Sequence, residues 1–75
     1  MNLIDLKKDD KVIIIKIHAE KALKDRLNSF GIMKGEELVV KGYSLGKQTV
    51  EIKVGSTYIA LRANEAQKIE VEKIV

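Results

Sequence analysis

The chain has 75 residues, with no cysteine and no proline, and fourteen Lys or Arg against eleven Asp or Glu give a net charge of +3. That length holds a single domain, 1–75, with a thin core, and the missing cysteines exclude disulfides, thiolate metal ligands and a thiol nucleophile. The charges are scattered and 45% of residues are apolar, which excludes a basic tail and disorder and reads as an ordinary solvated surface.

Residues 1–10 mix acids and lysines and contain no apolar region of the secretory-signal type. Within them Asp9 and Asp10 read as turn residues rather than as a catalytic pair. The stretch "KVIIIKI", 11–17, is rich in β-branched residues and too short for a core helix, which predicts a strand. The two-residue period puts Ile13, Ile15 and Ile17 on the inward face, with Val12 and Ile14 on a second, partly covered one. The longest unbroken apolar run, Val12 to Ile15, is four residues. A membrane helix needs ~20, so a soluble protein is expected.

In "AEKALKDRLNSF", 19–30, the apolar residues are Ala19, Ala22, Leu23, Leu27 and Phe30, a spacing that traces one helical stripe. Leu23, Leu27 and Phe30 are expected to bury against Ile13, Ile15, Ile52 and Val54. Glu20 and Lys24 stand four apart in the favourable order. No good N-cap precedes the helix, and His18 is a poor substitute. Gly31 follows Phe30, where a glycine in the left-handed conformation commonly ends a helix, and Gly35 is expected to turn the chain into the next strand.

Three more strands follow at 36–43, 48–54 and 57–62. In the second, Val50, Ile52 and Val54 share the inward face. "SLGK", 44–47, is a turn, and Gly55-Ser56 fits a two-residue hairpin loop. Asn64 is placed to cap one helical turn before a last strand at 69–74. Five short strands with one helix after the first predict a mainly β fold, a small barrel.

The sequence holds little chemistry. A phosphate loop opens a helix after a strand, whereas Gly31 and Gly35 follow a helix and open a strand. With a single histidine, His18, and no cysteine, the ligand set is too poor for a tight metal site, so no metal and no cofactor are expected. Met33 reads as packing. The serines have no His–acid pair to activate them, and no catalytic residue is assigned. Tyr43 and Tyr58 could serve as base-stacking platforms in a basic module that binds nucleic acid, but no arginine–aromatic cluster accompanies them, so nucleic acid is not the expected partner.

The order of strand, amphipathic helix, "RLNSFGIMKG", an "SLGK" hairpin and "EIKVGSTYIALRANEAQKIEV" resembles the FeoA family over nearly the whole chain. The motifs are the glycine turn from Arg26 to Gly35 and a second set on Ile52, Val54, Leu61, Arg62, Glu65 and Ala66, with Leu45-Gly46 between them. The chain departs from the family where prolines are common: at Lys8-Asp9, at Lys34 and on either side of Leu45-Gly46. The resemblance implies an SH3-like barrel and a small cytoplasmic, non-enzymatic accessory protein of bacterial ferrous iron transport. The implied partner is FeoB, the membrane transporter with a cytoplasmic GTP-binding domain. Contact with the membrane would run only through that partner, and self-association would at most be weak. The alternatives are a basic SH3-like nucleic-acid-binding module, or a freestanding regulatory domain related to the C-terminal part of iron-dependent repressors.

The candidate partner-binding residues are Leu45, Gly46, Lys47 and Arg26. Leu45 is the one large apolar residue in a turn whose flanking strands already supply core residues. It either forms an exposed apolar tip beside Lys47 or folds back as a lid on the core.

Overall fold

Runs of β-branched residues broken by glycine turns form five strands: β1 (Lys11–Ile17), β2 (Glu37–Tyr43), β3 (Thr49–Val54), β4 (Thr57–Arg62) and β5 (Ile69–Lys73). Helix α1 (Lys21–Ser29) lies between β1 and β2, and one helical turn, α2 (Ala63–Ala66), lies between β4 and β5. Two 3-10 turns, Leu3–Asp5 and Leu45–Lys47, complete the secondary structure. The computed structural model describes residues 1–74.

The strands make one antiparallel sheet in the order β4-β3-β2-β1-β5. The expected barrel is not closed, because among the described residues no ladder joins β4 to β5. The connection between these strands explains this. β4 runs directly into α2, which touches β3, β4 and the N-terminal 3-10 turn, and that turn touches β5. Side chains therefore bridge the two edges: Leu3, Leu6 and Ala66 are all at most 1% exposed. The outer edge of β5 is itself partly covered, since Asn2 pairs with Glu70 and the Val71 N–H donates to the Met1 carbonyl.

The inward face of β1 differs from the simple alternation. Val12, Ile14 and Ile17 are buried, whereas Ile13 and Ile15 are only half-buried. The cause is a bulge: Ile14 pairs with Val71 and Lys16 with Glu70, which leaves Ile15 as an extra residue and shifts the alternation by one. On β3 no bulge intervenes on the β4 side, and Val50, Ile52 and Val54 all face inward. The Gly55-Ser56 loop joins β3 to β4 with Gly55 at φ 60°.

The stripe of α1 is narrower than its sequence spacing suggests. Leu27 is buried and Leu23 packs partly against the core, but Phe30 remains 44% exposed. Phe30 is the C-cap and has left helical geometry, which turns its side chain off the stripe. The buried place at this end goes to Ile32, 0% exposed. Glu20 is the N-cap and makes no side-chain capping bond. Of the two acid–base pairs at i,i+4, Lys21 and Asp25 form the ion pair, at 2.6 Å, while Glu20 and Lys24 do not.

Candidate partner-binding surface

The turn between β2 and β3 is built on a fixed base. The Ser44 N–H donates to the Thr49 carbonyl and the Thr49 N–H to Ser44 Oγ, at 3.0 and 2.9 Å. The Lys47 N–H closes the turn on the Ser44 carbonyl. Gly46 at φ 76° and Lys47 at φ 55° both adopt the left-handed conformation, and the Leu45–Lys47 turn buries no residue. Leu45 is 99% exposed, so it is a tip and not a lid.

Tyr43 anchors the turn from below. Its hydroxyl donates to the Leu6 carbonyl, near those of Leu3 and Ile4, and ties the end of β2 to the N-terminal segment. Burial, reinforced by Asp10 and Asp5, raises the tyrosine pKa above its usual 10.0. The Lys47 ammonium sits 4.8 Å from the centre of the Tyr43 ring, a cation–π contact that orients the lysine beside the leucine. Tyr58, on β4, has Lys53 at 5.6 Å from its ring and is not tied down.

The structure brings Leu45, Gly46 and Lys47 together and places Arg26 elsewhere, on α1. The Arg26 guanidinium pairs with Glu65 Oε2 at 3.3 Å. The other Glu65 oxygen accepts the Arg62 N–H at 3.0 Å, which caps α2. Arg62, not Asn64, is therefore the N-cap, with Glu65 at the third helical position supplying the side-chain bond; Asn64 lies inside the turn. The Ala63 N–H then donates to the Gln48 carbonyl, so α2 links Arg26 to the residue that follows the Leu45 turn. Nothing in the sequence alone links Arg26 and Glu65, which stand thirty-nine positions apart and meet only through the fold.

Gly31 and Gly35 stand at φ 88° and 90°. The Ile32 N–H reaches the Leu27 carbonyl and the Gly31 N–H the Asn28 carbonyl, both at 3.0 Å. These two bonds form a Schellman motif, which satisfies the last carbonyls of α1. Asp9, also at positive φ, makes the turn expected before β1, with its N–H donated to the Val40 carbonyl.

His18 Nε2 lies 2.7 Å from Glu70 Oε1. That hydrogen bond holds the Glu70 carboxyl below its usual range, helped by the His18 charge, the N-terminal ammonium and Lys16. Among the described residues no three His, Cys, Asp or Glu side chains gather, so His18 and Glu70 do not make a closed metal centre.

The comparisons with known proteins agree with one another. The model of the FeoA domain matches residues 1–73. A Campylobacter jejuni protein named Fe(2+) transport protein A is 39% identical over 74 residues, which cover 99% of this chain and all of that one. The solution structure of FeoA from Chlorobium tepidum superposes with a TM-score of 0.94 at 28% identity, covering 100% of this chain and 71% of that one. FeoA from Stenotrophomonas maltophilia, solved with zinc and described as a prokaryotic SH3 domain protein, gives 0.82 at 30% identity over 96% of this chain and 89% of that one. The manganese-activated repressor ScaR gives 0.87 at 27% identity over 99% of this chain but only 35% of its own.

Proposed function

Because the chain belongs to the FeoA family, we propose that it is a cytoplasmic accessory module of bacterial ferrous iron transport that binds the cytoplasmic part of an FeoB-type transporter. The observation that carries this reading is Leu45: a large apolar side chain, 99% exposed, on a turn whose base is hydrogen-bonded and whose neighbouring lysine is held on an aromatic ring. An apolar anchor ordered before contact loses little entropy on binding and suits a hydrophobic pocket with an acidic rim. Gly46 permits the turn, Lys47 supplies its charge, and Arg26 contributes by holding α2 through Glu65. Among the described residues no helix is long and apolar enough to cross a membrane, and the proposal gives the membrane contact to the transporter. Ferrous iron is the transporter's cargo in this reading and is not held by the module.

The test is retention of the protein by the transporter's immobilised cytoplasmic domain, with nucleotide varied. Leu45→Glu should keep its melting temperature and lose about tenfold or more in affinity, as truncating an anchor does. Unchanged retention would take the turn out of the interface. The likeness to ScaR supports a second reading, a regulatory domain that acts on another protein. Retention by the repressor-type protein rather than the transporter would favour it.

A further inference from the structure

The segment that ends α1 also forms one wall of a groove. Lys16, Ile17, Lys24, Asn28, Met33 and Lys34 line it, and it encloses about 290 Å³. Ile17, 5% exposed, gives an apolar floor, and Met33, 41% exposed, is held out to solvent beside it. The wall is fixed by the backbone. The Gly35 N–H donates to the Ile14 carbonyl at 2.8 Å and the Ile14 N–H to the Glu36 carbonyl at 2.9 Å, which continues the sheet ladder. The Glu36 N–H holds the Met33 carbonyl at 3.0 Å, and Ile32 is locked in the core.

The charged residues of this groove are all cationic. Three of its six lining residues are lysines and none is a carboxylate. Among the described residues Lys16, Lys24 and Lys34 find no carboxylate within 4 Å, as is true of most lysines of this chain; what the groove adds is three such cations around one apolar floor. Glu70 stands across the ladder from Lys16 and feels its charge, but its hydrogen bond goes to His18 and it does not line the groove. An apolar floor ringed by three ammonium groups is complementary to carboxylates flanking an apolar side chain. Its volume is at the low end for a ligand pocket, room for an apolar side chain and the chain on either side of it. A thioether at the lip adapts to varied apolar shapes.

We propose that this groove docks an acidic segment of a protein partner, with one apolar side chain set on Ile17 and Met33 and its carboxylates on Lys16, Lys24 and Lys34. The concave shape favours a peptide over a flat anionic membrane. The groove shares no residue with the Leu45 turn, so this proposal stands whether or not that turn contacts the transporter.

The experiment titrates the isotope-labelled full chain with a short peptide in which one leucine is flanked on both sides by aspartate and glutamate. Amide shifts should centre on residues 16–17, 24–28 and 33–34, and affinity should fall as salt is raised above ~0.1 M. Lys24→Glu and Lys34→Glu should each weaken binding about tenfold or more while melting normally, because like charges then face each other. The neutral variants Lys24→Gln and Lys34→Gln should lose less. Met33→Ser should cost about fivefold through lost apolar contact. Shifts elsewhere, no shifts at millimolar peptide, or equal binding of the peptide with asparagine and glutamine in place of its acids would each overturn the proposal. So would binding to phosphatidylserine vesicles without binding to the peptide.

Discussion

Two turns in this chain set a glycine at positive φ beside a large apolar residue, and they use that residue in opposite ways. At the end of α1, Gly31 reverses the chain and Ile32 enters the core, fully buried, with its N–H bonded back to Leu27. Between β2 and β3, Gly46 follows Leu45, and Leu45 stays almost wholly in solvent. The glycines are alike, but the surroundings differ. The first turn lies against β3, where a Cβ added to Gly31 would meet Val54 Cγ1 at 3.8 Å; a Cβ on Gly46 would meet nothing within 4 Å. A turn pressed against the sheet has a cavity to fill. A turn that projects from the sheet leaves its apolar residue in solvent, as it does Leu45.

This contrast can be broken at several points. The largest effect is expected at the inner turn, where Leu27 is 1% exposed and shares the core with Ile32. Leu27→Ala should cost ~2–5 kcal/mol. In a domain with about 5 kcal/mol in hand that approaches complete unfolding, and chemical denaturation would read it. Truncating Leu45 to alanine should leave the same transition in place, within about 0.5 kcal/mol.

A smaller loss is expected at Gly31. Valine there would meet only an ordinary contact with Val54, so its cost is conformational, about 1–3 kcal/mol for a non-glycine residue held at φ 88°. Asparagine, which tolerates the left-handed region, should recover part of that loss. Equal melting temperatures for the valine and asparagine variants would show that φ is not what the position demands.

A smaller loss again is expected at the base of the outer turn. Tyr43→Phe keeps the ring under Lys47 and removes the bond to Leu6, at a cost of about 1 kcal/mol. Because the folded-state pKa of Tyr43 is raised above 10.0, its contribution is fully present below pH 10 and is lost as pH rises through the folded value. The wild-type protein should therefore lose stability above pH 10, and the phenylalanine variant should lose less. Identical alkaline profiles would remove Tyr43 from the account.

Local physics alone determined much of this protein. Strict alternation with no bulge toward β4 gave the inward face of β3, and β4 was legible to the residue because glycine and helix signals bound it. Gly31 as the helix stop followed from backbone sterics, which operate within a few residues. The position of the candidate tip was likewise readable, because an apolar residue between turn formers stands out in any context. Tertiary structure decided whatever depended on a neighbour distant in sequence. The bulge at Ile15 is set by pairing with β5, more than fifty residues away, and it moved the inward face of β1 to Val12, Ile14 and Ile17. Phe30 lost its expected core place to Ile32 because the Schellman turn redirects the chain. The sheet stays open because α2 and the N-terminal turn fill the gap where β4 and β5 would have paired. Whether Leu45 is a lid or a tip is likewise decided by the fold, which leaves it 99% exposed, since burial depends on where other segments run.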